Sequence, residues 1–207
     1  MSQPAATKLH ACPDQLIRYS LHARVAAGAV LRYRPRELIL HASAEYHQQV
    51  YLDLAPGAEA VLWEIVSPGR LYERFQYRRL VFRLEACLAG RLIALDAVRV
   101  EPGSAAALGG FTHFASLFQF GPQLIQANAD DVHARLQAAG ITGSASLLPA
   151  YGLAVRLLGN SADVLRSALA LFPGRERTAC RLRAPGLAGE RKLAAAKNGH
   201  HLVVEGL

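Results

Sequence analysis

Two carboxylates lie inside segments that are otherwise apolar, and these are the residues best placed to do chemistry. Glu64 lies within Ala60–Val66, where the two-residue alternation predicts a strand with apolar residues on both faces. Asp96 lies within Leu92–Val98, a segment of the same kind. An unpaired buried carboxylate is costly, so each is expected to meet an arginine, a hydrogen-bond donor or water.

These carboxylates allow more than one interpretation. They could form structural ion pairs, for instance with Arg70 or Arg99, or they could line a wet internal passage along which a divalent cation is handed. A hydrolase that used Glu64 and Asp96 together would need both in one pocket, and their spacing in the chain does not decide this. Gly69-Arg70 predicts a tight turn that points Arg70 off a strand end, either into solvent or toward a partner protein.

Other chemistry is weakly represented. His10 and Cys12 fall on one side of an extended segment and could hold a soft cation, although an exposed strand end without metal is the simpler interpretation. The adjacent His200 and His201 lie in a poorly patterned segment, and no pair with zinc-site spacing is present. The sequence contains no phosphate-binding lysine loop, so we expect any nucleotide hydrolysis to belong to a partner.

Short alternating segments separated by turns dominate the chain and predict a layered, β-helix-like body of parallel and antiparallel strands. The predicted strands are Gln15–Ser20, Val30–Arg34, Glu37–His41, Gln49–Leu54, Ala58–Val66, Phe75–Leu84, Arg91–Val100, Phe111–Phe120, Ser144–Leu148 and Leu153–Leu158. Two helices follow in the C-terminal half, over Asp130–Ala139 after a capping Asn128 and over Ala162–Leu171 after a capping Ser161. The carboxylates are therefore expected on strands.

The composition fits a folded protein without a membrane span. Of 207 residues, 52% are hydrophobic and 19% are charged, which excludes a disordered chain. The net charge is +7, but residues 174–207 contribute +4 of it, so no dense basic patch indicates nucleic-acid binding. We predict a β domain over residues 1–173, then a divergent basic tail over 174–207 that is poorly ordered. Three scattered cysteines and the lack of a leader predict a cytoplasmic protein.

An ordered set of motifs resembles the UreD (UreH) family of urease accessory proteins. The motifs are Pro4–Lys8, Gly28–Pro35, Glu37–Leu40, the stretch ending Trp63-Glu64, Gly69-Arg70, the segment ending Leu95-Asp96, and Leu153–Gly159 before a helix. Each motif is short, and their order along the chain is what makes the resemblance specific. It covers most of the chain as far as the second predicted helix.

The resemblance implies a β-helix-like scaffold with no catalytic activity of its own. It implies a complex with the helical UreF protein and, through UreF, the GTPase UreG, which acts on the urease apoprotein to assemble its nickel site. Thr7, Glu64 and Asp96 match positions that the family places along an internal tunnel for nickel. Nickel would be in transit, with no permanently bound cofactor, and Arg70 would contact a partner.

Two departures from the family pattern are visible. The family has further residues, including strands, before the segment that matches Pro4–Lys8, and it closes on a different C-terminal segment. We therefore expect an N-terminally truncated member with a divergent tail. Alternatives to an active scaffold are an uncharacterised β-rich hydrolase and a partial, non-functional fragment.

Overall fold

A computed structural model describes residues 5–11, 16–70, 76–104, 108–170, 172 and 200–204. The strands are β1 (Thr7–Leu9), β2 (Ile17–Val25), β3 (Val30–Tyr33), β4 (Leu38–Leu40), β5 (Glu45–Leu54), β6 (Glu59–Pro68), β7 (Arg79–Leu88), β8 (Arg91–Val100), β9 (His113–Phe120), β10 (Thr142–Leu147), β11 (Gly152–Gly159) and β12 (His200–Val204). The helices are α1 (Gln126–Ala138) and α2 (Ala162–Ala170). The expectation of a mainly β protein with two C-terminal helices is confirmed.

The strands form two mixed sheets. The large sheet has the order β1-β4-β6-β9-β11-β10, with β3 also paired to β6, and the small sheet has the order β12-β2-β5-β7-β8. From β2 to β7 the chain passes back and forth between the sheets, so β2, β5 and β7 pair in parallel, as do β3 and β4 with β6. This coil is the β-helix-like part of the prediction. The later pairs, from β7–β8 onward through β9, β11 and β10, are antiparallel.

β6 is buried on both faces because it lies between two layers. Val61, Trp63 and Ile65 point toward the helices and pack against α1 and α2 in one apolar cluster. Leu62 and Val66 point toward the small sheet and belong to two separate inter-sheet clusters. Strands covered on both sides are typically almost continuous apolar runs. A carboxylate in the middle of such a strand therefore needs an explanation.

Helix α1 begins earlier than its sequence predicts. Asn128 was expected to be its N-cap, but the helix starts at Gln126 with Ile125 as the cap residue. Asn128 lies in the first turn, where its Oδ1 accepts a hydrogen bond from the Ile125 backbone N–H at 2.8 Å. The first turn also holds no acidic residue, contrary to expectation, because the earlier start moves both aspartates beyond it.

The capping contact can be tested. Asn128→Ala should lower the free energy of unfolding by about 1 kcal/mol, the usual cost of losing a helix-terminal side-chain bond. Gln126→Ala is the matched control, since Gln126 makes only an exposed bond to Asp130, worth roughly 0.3 kcal/mol. Urea unfolding followed by circular dichroism measures both, and equal losses would contradict the capping role.

Residues 200–204 of the predicted tail form β12, which pairs in parallel with β2. The rest of residues 174–207 lies outside the described residues, so the predicted boundary at 173 stays a prediction. No helix within the described residues is long and apolar enough to cross a membrane.

Candidate functional site

Glu64 lies in the middle of the large sheet and faces the small sheet. The alternation along β6 places its carboxylate on the same side as Leu62 and Val66, as predicted, and the register sets it opposite Ser116 of β9. The neighbouring apolar clusters lie on either side of this row. The inter-sheet core is thus divided by one polar level at Glu64.

A hydrogen-bond relay reaches Glu64 from the small sheet. Gln48 Nε2 donates to Glu64 Oε1 at 2.5 Å, and Tyr46 Oη donates to Gln48 Oε1 at 2.8 Å. Gln48 and Tyr46 both lie on β5, and both are almost fully buried. A buried amide with both of its groups engaged has a defined orientation, because its N–H2 and its oxygen are not interchangeable here. The relay therefore aims a neutral donor at the carboxylate.

Burial dominates the electrostatics of this region. It raises the pKa of Glu64 to about 7, and the Gln48 hydrogen bond opposes that shift. Burial also raises the pKa of Tyr33 and of Tyr46, and the nearby Glu64 charge adds to both shifts. The Tyr33 hydroxyl lies 3.2 Å from the Tyr19 hydroxyl. Near neutral pH, Glu64 is therefore the group that exchanges its proton while the tyrosines stay neutral.

A cavity of about 40 Å³ opens between the sheets at this level. Its polar lining includes Glu64, Gln48, Asp96, Ser116 and Arg83, and its other walls are largely apolar. Glu64 is partly exposed and lines this cavity. Because the cavity is small and enclosed between the sheets, this partial exposure is compatible with the raised pKa of Glu64. A cavity of this size with several polar groups in its lining is large enough to hold water. Both carboxylates singled out from the sequence are thus brought to one cavity from different sheets.

Asp96 has a different partner from Glu64. Arg156 of β11 donates through Nη2 to Asp96 Oδ1, so this ion pair ties β8 of the small sheet to the large sheet. The Arg156 guanidinium also lies 5.0 Å from the centroid of the Phe118 ring. An ion pair was one expectation for Asp96, but the suggested Arg99 instead binds Glu101 at 2.6 Å. We call Tyr46, Gln48, Glu64, Ser116, Asp96 and Arg156 the polar seam.

Other predicted site residues lie elsewhere. Thr7 is exposed on β1 and is not among the residues that line the cavity, while Arg70 is exposed in the bend after β6. The His10 and His41 rings stack with centroids 4.3 Å apart. Cys12 lies outside the described residues. Within the described ranges, His, Cys, Asp and Glu nowhere form a group of three or more that could hold a metal ion.

The sequence reasoning missed the partners of the carboxylates. Gln48 and Tyr46 lie on the inward face of β5, the same face as Val50 and Leu52. A glutamine among inward apolar positions was a usable signal, because a buried amide needs partners. Arg156 carried the same signal in β11, but the contact between two strands of different sheets, sixty residues apart in the chain, could not be read from local pattern.

Comparison with known proteins identifies relatives over most of the chain. The sequence model of the UreD urease accessory protein family matches residues 1–185. The chain is 33% identical to urease accessory protein UreD of Haloarcula marismortui over 82% of its own length and 60% of the relative's. It is 33% identical to that of Sorangium cellulosum (84% and 59%) and 29% identical to that of Actinomyces naeslundii (77% and 62%). The chain therefore spans about three fifths of the length of these relatives.

Proposed function

This chain belongs to the UreD urease accessory protein family, and on that basis we propose that it acts as a urease maturation chaperone in the cytoplasm. In this proposal it is a scaffold that binds a UreF-like protein and, through it, a UreG-type GTPase. The assembly assists GTP-dependent insertion of nickel into the urease apoprotein. The chain itself catalyses no reaction and holds no permanent cofactor.

The polar seam is the observation that carries the proposal. A water-sized cavity with two carboxylates inside the core lowers the stability of the fold. Such an arrangement is therefore more readily explained by a functional role than by a structural one. Carboxylate oxygens and water bind divalent cations, but two carboxylates without a third fixed ligand hold them only weakly. Weak coordination suits a cation that must leave again. We therefore propose that nickel, as cargo, passes Glu64 and Asp96.

The hydrolase alternative is less well supported. The cavity of about 40 Å³ is far below the several hundred Å³ of a typical small-molecule site. Asp96 is engaged by Arg156, whereas a general acid or base must be free to exchange a proton with substrate. The proposed tunnel role of Thr7 has no support from its exposed position on β1. Arg70, exposed beyond β6, remains a proposed partner contact.

Glu64→Gln tests the function. Cells that express urease with the UreF-like and UreG-type proteins should lose roughly tenfold or more of their urease activity when this variant replaces the parent chain. The substitution removes the charge while keeping the shape and an acceptor for Gln48. The measurement is urease activity per urease protein at limiting nickel, with tagged-chain pull-down of the UreF-like protein recorded in parallel.

Asp53→Asn is the matched control, since Asp53 pairs with Arg24 on the outer face of the small sheet and does not line the cavity. Partner capture should be retained by both variants. Full urease activity with Glu64→Gln would contradict a role of the polar seam in urease activation. Failure of the parent chain to capture the UreF-like protein would overturn the scaffold proposal.

A further inference from the structure

The two carboxylates of the polar seam differ in the charge of their partners. Glu64 accepts from the neutral amide of Gln48, whereas Asp96 is bound by the cationic guanidinium of Arg156. A divalent cation at Glu64 replaces no charge, but one at Asp96 must compete with a positive group already in contact. Like charges at contact distance repel strongly in a partly desolvated site. Arg156 therefore competes with a divalent cation for the carboxylate of Asp96.

The Arg156–Asp96 pair is built so that it can open. Among the described residues only Nη2 of Arg156 bonds to Asp96, and its buried Nη1 has no hydrogen-bond partner. A single-point pair lacks the stability of a two-point arginine–carboxylate pair. The side chains are 37% and 24% exposed, and ion pairs at such positions contribute little to folding. Releasing the pair is therefore inexpensive for the fold.

Phe118 provides the arginine with a second support. Its ring lies 5.0 Å below the guanidinium and lines the same cavity. A cation over an aromatic face is stabilised without any carboxylate, so the guanidinium can leave Asp96 and still be held. The pair is also more exposed than Gln48, which is 4% exposed. The more accessible end of the polar seam is thus the end that carries the positive charge.

We propose that Arg156 is a gate for divalent cations, whose guanidinium occupies Asp96 in the closed arrangement and vacates it when a cation binds there. This inference rests on the proposed nickel passage and adds its control. The closed and open arrangements give the passage two discrete states. Asp96 is then the position at which access is decided, and Glu64 the inner position.

Arg156→Gln tests the gate directly. Titration calorimetry with nickel chloride on the purified chain should give a Kd roughly tenfold lower for this variant than for the parent, a coupling of ordinary size between two competing charges. Arg166→Gln is the matched control, because Arg166 forms a similarly half-buried pair with Glu37 away from the cavity. Its Kd should equal that of the parent. Thermal midpoints recorded beforehand establish that each variant is folded.

Two further variants distinguish gating by Arg156 from a general loosening of the polar seam, and distinguish failure of the gate from failure of the proposed nickel passage. Asp96→Asn breaks the same pair but keeps the positive charge, so its Kd should be no lower than that of the parent. An equal drop in both variants, or an unchanged Kd for Arg156→Gln, would overturn the gate. If Arg156→Gln does not fold, Phe118→Leu removes the ring that holds the guanidinium away from Asp96 and should raise Kd. Unchanged binding and urease activation with Glu64→Gln would instead overturn the nickel passage itself.

Discussion

Glu64→Gln is expected to stabilise the chain at pH 8 and to leave its stability nearly unchanged at pH 4.5. The pKa of Glu64 is about 7 in the folded chain against an ordinary 4.5, and a separation of this size corresponds to about 3 kcal/mol. The folded state binds the proton of Glu64 more tightly than the unfolded state does, so this proton stabilises the fold, and its stabilisation is fully present below pH 4.5. It is lost as the pH rises toward 7, and above that no further loss occurs.

The comparison of variant and parent isolates Glu64 from other titrating groups. Burial lowers the pKa of His47 and of His113, so the chain also loses stability as the pH falls below their ordinary range. Both histidines are present in both proteins, and their contributions cancel in the difference. Urea unfolding from pH 4.5 to 8.5 should show a difference that grows over this window and then levels off.

Asp53→Asn again provides the control. It removes one carboxylate from the outer face of the small sheet, and its effect should stay below about 1 kcal/mol at each pH. A difference between Glu64→Gln and the parent that does not change with pH would contradict a buried, proton-binding carboxylate. The expected result also implies that the charge of Glu64 lowers stability near neutral pH, as residues kept for function often do.

The fold was predictable where local alternation decides it. Strand β8 has the predicted bounds, Arg91–Val100, and the location of Glu64 within a strand that is apolar on both faces followed from the pattern of β6. The pairing of strands was not predictable in this way, because a two-residue period reports which face is buried and not against which strand it packs. That is why Arg156 was missed as the partner of Asp96, and why Arg99, which was suggested, is found on Glu101.

The helix start shows a second limit of local reasoning. Asn128 is a good N-cap residue, and the aspartates that follow favoured a helix beginning there. The structure instead places Asn128 third in the helix, within the first turn, where its side chain reaches back to the Ile125 N–H. A capping residue and the returning partner of a capping box use the same side-chain chemistry, so type alone does not fix the position.

Trp63→Ala should cost about 3–5 kcal/mol of stability, because a large buried aromatic side chain is removed from the centre of a sheet. Trp63 is 7% exposed and packs on the helix side of β6. Its Nε1 donates to the Pro35 carbonyl at 3.1 Å, and the Arg34 guanidinium lies 4.8 Å from its ring centroid. The residue therefore fixes the segment between β3 and β4 onto β6.

Trp63→Phe distinguishes packing from the hydrogen bond. It keeps most of the ring volume and loses the donor to Pro35, so a smaller cost of about 1–2 kcal/mol is expected. Trp63 is the one tryptophan of the chain, so urea unfolding should be followed by far-ultraviolet circular dichroism. Equal losses for the two variants would show that the hydrogen bond, and not ring packing, dominates.

The neighbouring positions 63 and 64 should then respond in opposite ways. Trp63 packs in the cluster on the helix side of β6 and borders the cavity, whereas Glu64 faces the small sheet and carries the carboxylate of the cavity lining. Trp63→Phe should lower stability while urease activation at permissive temperature is kept, because the polar seam is untouched. Glu64→Gln should raise stability at pH 8 while activation falls. Parallel changes in stability and activation for both variants would contradict this division, since loss of activation would then follow the fold and not the carboxylate.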